Sequence, residues 1–273
     1  YLHVGRYDYD VVNQFRRCLS DLHDHDLTNK KIICRMIDIE VWQQHYMGPR
    51  WDVVDDIIFI APHIRNLVDI ATLSDLRAET KFHTIPCGVS LDRYKFANRS
   101  PGFDIAVVSE RCVSKGTDLI LQIALKLKQI DKRYKIHWLG QRSPTWAWEH
   151  AYMDDFIAHH NLNIEITNIL QEGVTVDEWL EDKNYLLHAS VKEGFSMAIA
   201  EAMAKGIKVV PHRFYGADDL WPGLCWSSID EAVDMITETD NYHSTEYRQY
   251  LIDHGYDLDS MMNRITKEVI ERK

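Results

Sequence analysis

Apolar residues along the chain gather in short runs, and between these runs they recur at helical spacing. Lys30–Met36, Ile57–Ala61 and Phe82–Ile85 read as strands, with Ile64–Leu76 helical between the second and third. Ahead of them Phe15, Cys18, Leu19 and Leu22 share one helix face. From Phe103 the alternation restarts. It predicts strand Phe103–Ser109, helix Gly116–Ile130 with Ile120, Ile123, Ala124 and Leu127 on one side, strand Tyr134–Leu139, helix Trp146–His160, strand Asn163–Ile169, short helix Val176–Glu181 and strand Tyr185–His188. The next stretch is dense in signals. Lys192-Glu193-Gly194 reads as a turn, Phe195–Lys205 as a helix, Gly206 as the C′ residue that ends it, and Ile207–Val210 as a buried strand. Leu224–Trp226 reads as an edge strand and Ser228–Thr237 as a helix. Asp257–Lys273 is amphipathic, with Met261, Ile265 and Val269 spaced four apart.

Strands alternating with helices predict an α/β fold with mostly parallel sheets. The turn-rich Ala97–Gly102 predicts a boundary. It divides the chain into an N-terminal domain of residues 1–98, a second domain of 99–256, and a helix over 257–273 placed to pack back on the first.

Length and composition fit that division. The chain has 273 residues, 45% hydrophobic and 27% charged, enough for two domains of roughly 100–150 residues. A net charge of −11 without any Lys/Arg-rich block disfavours a nucleic-acid partner and leaves room for a local cationic pocket. No window approaches the roughly 18 apolar residues of a membrane span, and no signal-peptide pattern opens the chain. The expected location is the cytoplasm, with peripheral membrane association left open. Cys18, Cys34, Cys87, Cys112 and Cys225 are odd in number and never form a C-x-x-C pair, which argues against a disulfide framework or a zinc site. His23-Asp24-His25-Asp26 reads as a solvated turn, and the D-x-D triplets at Asp8 and Asp257 do not sit at strand ends, so no metal is expected.

Ligands of parallel sheets bind off the carboxyl ends of the strands, so the loops after Ser109, Gly140, Ile169 and His188 share one rim. Arg111 and Lys115 stand just before one helix start on that rim. Ser196 and Met197 open another, and helix N-termini present N–H groups and positive dipole ends to phosphate oxygens. Two anion sites on one rim point to a diphosphate. Glu201, one helical turn further, has the acceptor geometry for the vicinal hydroxyls of a ribose. Together these residues describe a nucleotide-diphosphate site. Trp146 and Trp148, behind Ser143-Pro144-Thr145, are candidates to line an acceptor site.

Glu193-Gly194-Phe195-Ser196-Met197, with Glu201-Ala202-Met203-Ala204 and Gly206-Ile207-Lys208-Val209-Val210, resembles the E-x7-E signature of the family 4 glycosyltransferases. Pro86-Cys87-Gly88-Val89-Ser90 with Tyr94 is similar to that family's Pro-Asn-Gly-Val-Asp segment, with Cys87 and Ser90 as departures. Lys115-Gly116 resembles its Lys-Gly pair, while Glu110 holds the usual Arg place and the cation is displaced to Arg111. Arg35-Met36-Ile37-Asp38-Ile39-Glu40 is similar to an Arg-x-His-Asp-Ile-Glu segment in which Ile37 replaces the His, and His45 is a substitute to consider.

The resemblance implies a GT-B architecture, two Rossmann-like domains with parallel sheets facing a central cleft. It also implies that the N-terminal domain is incomplete in a chain that opens on Tyr1. The implied activity is retaining transfer of a hexosyl or other glycosyl group from a UDP- or GDP-sugar to an acceptor hydroxyl, without cofactor or metal. Polysaccharide or glycoconjugate biosynthesis is the setting it suggests. By this resemblance Lys115, Glu193 and Arg111 are catalytic, and Gly194, Phe195, Ser196, Met197 and Glu201 bind the donor. The acceptor, whether glycan, lipid-linked or protein, stays open. So do two other readings, a nucleotide-sugar epimerase and a catalytically silent protein that binds a nucleotide-sugar or a partner.

Overall fold

The computed structural model describes residues 30–44, 46–47, 51–73, 75–140, 145, 147–168 and 175–271. The helix expected at Phe15–Leu22, the His23–Asp26 turn, the Asp8 triplet, His45, Ser143, Pro144, Trp146 and the Ile169–Gln171 loop lie outside the described residues.

Two compact units divide the chain. One runs to Cys87 and resumes at Met261, and the other spans Gly88–Ser260. Ala97–Gly102 therefore lies inside the second unit. Backbone bonds explain why: the Val89 N–H donates to the Tyr256 carbonyl (2.8 Å), and the Leu258 N–H returns to the Val89 carbonyl (2.9 Å). The Arg248 guanidinium also donates to the Leu91, Tyr94 and Ala204 carbonyls, tying this segment to the second unit.

The first unit contains β1 (Ile33–Met36), α1 (Asp38–Trp42), β2 (Asp56–Phe59), α2 (Pro62–Leu67) and β3 (Lys81–Thr84). The strands pair in parallel in the order β1-β2-β3. The helix expected over Ile64–Leu76 stops at Leu67. Val68 turns extended, and the Asp69 side chain accepts the Ala71 N–H (3.0 Å) to make a separate 3-10 turn at Ile70–Thr72.

The second unit runs β4 (Asp104–Val108), α3 (Thr117–Ile130), β5 (Lys135–Leu139), α4 (Ala147–His160), β6 (Ile164–Thr167), α5 (Val176–Trp179), β7 (Tyr185–His188), α6 (Met197–Ala204), β8 (Lys208–Pro211), α7 (Ala217–Leu220), α8 (Ile229–Thr237) and α9 (Ser244–Asp253). Its five strands are parallel, in the order β6-β5-β4-β7-β8. Val107, Ile120, Ile123, Ile136, Trp138 and Leu187 stand in the core, which is why the apolar stripe of α3 is recoverable from spacing alone. Leu224–Trp226 forms only a single bridge, His212 to Trp226, rather than an edge strand.

The helix α10 (Leu258–Arg264) passes into a wider π turn over Ile265–Ile270. Met261, Ile265 and Val269 pack with Ile58 and Ile85 in the core of the first unit. Residues four apart drift by about 40° around an α-helix of 3.6 residues per turn. The wide turn rotates the next step the other way, so all three side chains keep one face.

Candidate functional site

Strand order reverses between β4 and β7, so the second unit has its topological switch point there, and loops leaving the carboxyl ends of these two strands flank a crevice. The β4 loop carries Lys115 in a 3-10 turn, Val113–Lys115, closed by Gly116 at φ 72°. A Cβ on Gly116 would stand 2.0 Å from the Ala189 carbonyl oxygen, so only glycine lets this loop lie against the exit of β7. The Val191 N–H donates to the Ser114 carbonyl (3.1 Å) and completes the junction.

That junction brings two of the expected residues together. Lys115 Nζ donates to Glu193 Oε1 at 2.6 Å, with the Glu193 side chain only 11% exposed. His188, the last residue of β7, places Nε2 3.4 Å from the same oxygen. Burial pushes the Glu193 carboxyl up, but the Lys115 ammonium and the His188 imidazole outweigh it and hold the carboxyl at about 2. Glu193 is therefore ionised throughout the neutral range. It can accept hydrogen bonds from hydroxyls and offset positive charge, and it cannot serve as a general acid.

The α6 start supplies the second half of the site. Ser196 has φ 61°, a left-handed conformation that turns the chain into the helix. The N–H groups of Ser196 and Met197 take no hydrogen-bond acceptor among the described residues. They form the anion-attracting end of an eight-residue helix. At its other end Gly206 donates to the Met203 carbonyl and Ile207 to the Ala202 carbonyl, with Gly206 at φ 78°, the paired bonds of a Schellman stop. Ser196→Gly should raise stability by about 0.5–1 kcal/mol, because glycine accepts a positive φ that serine resists. A higher urea midpoint at unchanged slope is the expected result, and a lower midpoint would mean that the hydroxyl does more for the fold than the backbone costs.

Other expected residues fall differently. Arg111 is 5% exposed, and its carbonyl lies 3.1 Å from His150 Nε2 of α4, so it belongs to the interior of the loop rather than to its rim. Gly194 is buried in the turn, and the Phe195 ring packs on Trp221 and Tyr256 (centroids 5.2 and 5.1 Å), which leaves only its backbone to face a ligand. Glu201 is 8% exposed on α6 and adjoins the Tyr94 hydroxyl, whose pKa is pushed up by burial and by that carboxylate. The N-terminus of α3 is less hospitable to anions than its composition suggests. Asp118 stands in its first turn, and the Val113 N–H already donates to the Glu149 carboxylate (3.3 Å). In the first unit, Arg35 donates to Cys87 Sγ and Met261 Sδ, while Glu40 folds back onto the Ile37 N–H (3.0 Å). Trp148 is 88% exposed on α4. Among the described residues no group of three or more His, Cys, Asp or Glu is set to hold a metal ion, and no helix is long and apolar enough to cross a membrane.

Sequence reasoning passed over His188 and Tyr94 as partners of the two carboxylates. His188 sits in an apolar strand run and carries no motif of its own. Its one signal is position, as the last residue of the strand at the switch point.

No protein-family model matches the chain, and no curated protein matches it in sequence. Solved structures do. A variant of S. aureus TarM, in complex with fondaparinux, α-GlcNAc-glycerol and UDP, superposes at TM-score 0.69 and 16% identity over 92% of this chain. The chain spans about half of that protein, 53% of its length. Anabaena HepE in complex with UDP and glucose gives TM-score 0.73 at 13% identity, covering 96% of this chain and 82% of HepE. A glycosyltransferase from Rickettsia africae gives 0.68 at 14% identity, covering 100% of this chain and 85% of that one. The chain thus has two Rossmann-like parallel-sheet domains in a GT-B-type architecture, the fold it shares with these solved structures.

Proposed function

We propose that this chain transfers a glycosyl group from a nucleoside-diphosphate sugar to an acceptor hydroxyl, with retention of configuration and no metal requirement. The observation that carries the reading is the Lys115–Glu193 pair at the switch point, next to the N–H groups of Ser196 and Met197. An ammonium has three N–H donors, so Lys115 can bond Glu193 and a phosphate oxygen from the same nitrogen. Departure of a diphosphate builds negative charge, and Lys115 with the two backbone N–H groups is the preorganised counterpart of that charge. Glu193, ionised at neutral pH, orients donor-sugar hydroxyls and favours positive charge developing on the sugar ring. Glu201 accepts the ribose hydroxyls. No covalent nucleophile is assigned. The structures solved with UDP, TarM and HepE, support a uridine nucleotide as the first donor to try.

A second reading, a GT-B-like protein that binds a nucleotide-sugar without turnover, draws on the burial of Arg111, a cation that the family resemblance places among the catalytic residues. Isothermal titration with UDP and GDP, followed by release of UDP from UDP-glucose, separates the two. Micromolar binding with turnover is expected. Binding without turnover selects the second reading, and no binding of either nucleotide rejects both.

A further inference from the structure

The chemistry above employs Lys115 and Glu193 and leaves His188 without a task. The His188 side chain is 5% exposed, and its ring is held in place from several directions. Its backbone carbonyl accepts the His212 N–H (2.7 Å), and its ring meets Phe214 edge to face at 5.9 Å. Its Nε2 points at Glu193 Oε1, the oxygen that also receives Lys115. Its Nδ1 is buried and finds no hydrogen-bond partner among the described residues. Together with Ser109 and Ala198, His188 lines a small cavity at the carboxyl ends of β4 and β7.

An ionised carboxylate only accepts hydrogen bonds, so the ring nitrogen facing it must carry hydrogen. That requirement selects the Nε2-protonated ring. A lysine ammonium, by contrast, is a point charge with rotatable donors on a flexible stem, and by itself it does not define the plane of a carboxylate. A second donor fixed to a strand end does. We propose that His188 is a positioning residue: its Nε2–H and the Lys115 ammonium grip one oxygen of Glu193 from the end of β7 and the loop after β4, and set the carboxylate plane that meets the donor sugar. The inference rests on the glycosyl-transfer reading for its kinetic consequence, and its structural half stands without any ligand.

Two measurements test it. Long-range proton–nitrogen NMR of the ligand-free protein at pH 7.5, assigned with His188→Gln, reads which ring nitrogen is protonated. Protonation at Nε2 is expected, and a neutral ring protonated at Nδ1 overturns the proposal whatever the protein does with nucleotides. The second measurement compares His188→Gln, His188→Asn and His188→Leu with the unaltered chain in UDP release from UDP-glucose. Glutamine sets an amide N–H near the place of Nε2, asparagine near that of Nδ1, and leucine only fills space. For leucine and asparagine kcat should fall about tenfold with KM little changed, the scale of one hydrogen bond to a charged group, whereas glutamine should stay within about twofold. Equal loss in all three, or equal retention, overturns the proposal. If the unaltered chain binds neither UDP nor GDP, the glycosyl-transfer reading fails, and the nitrogen spectra alone decide whether His188 holds Glu193.

Discussion

Lys115→Met should remove a large part of the roughly 3 kcal/mol by which the ionised Glu193 favours the fold at neutral pH, together with most of the affinity for a nucleoside diphosphate. The stability half follows from Glu193, whose carboxyl lies at about 2 in the fold against an ordinary 4.5. Its pKa is depressed, so its contribution is fully present above the unfolded value and is lost as pH falls from about 4.5 toward 2. At about 1.4 kcal/mol per unit, the shift corresponds to roughly 3 kcal/mol. Methionine fills the same space without the charge. The carboxylate then loses its nearest cation, keeps the 3.4 Å contact with His188, and titrates closer to its unfolded value. Urea midpoints of the two proteins should therefore differ widely at pH 7 and converge as pH approaches 2. Adding Glu193→Gln to the methionine variant should recover much of the loss, because an amide needs no cation. A difference that stays constant with pH would show that Lys115 acts on the fold by another route.

Glu201→Gln should weaken UDP binding roughly 10- to 100-fold, the equivalent of replacing one charged acceptor of the ribose hydroxyls by a neutral one. The change is nearly isosteric and sits inside α6, whose apolar side chains and Schellman stop remain intact, so stability should move far less than affinity. Inorganic pyrophosphate supplies the control. It has no ribose, so its affinity should be the same in Glu201→Gln as in the unaltered chain, whereas Lys115→Met should weaken both ligands. An unchanged UDP affinity in Glu201→Gln would remove the ribose assignment and leave Tyr94 as the carboxylate's neighbour for structural reasons alone.

The parts of the fold that were legible in the sequence share a physical cause. Runs such as Ile57–Phe59 and Tyr185–His188 are buried on both faces, and continuous apolar strands are what parallel sheets produce. The α6 stretch was readable because turn, helix, glycine stop and strand follow without interruption, and the structure places them at Met197–Ala204 and Lys208–Pro211. What escaped depended on contacts distant in sequence. The break after Leu67 needs the Asp69 side chain to offer the backbone an alternative partner. The helices α7 and α9 carry no continuous apolar stripe. Lys115 and Glu193 were each identifiable from their loops, but they stand 78 residues apart, and their pairing depends on β4 and β7 being neighbours in the sheet. His188 and Tyr94 acquire meaning only through their contacts with Glu193 and Glu201, which is why neither stood out before the carboxylates were placed.

The discontinuity of the first unit bears on the order in which the chain assembles during synthesis. Ile58 and Ile85 find their partners Met261, Ile265 and Val269 only after everything between them has been translated. The unit from Gly88 to Ser260 has no such debt to a later segment. Throughout the synthesis of Gly88–Ser260, then, the apolar face around Ile58 waits for its cover. A chaperone that shields nascent chains would find its substrate in the segment around Ile58, made before Gly88–Ser260.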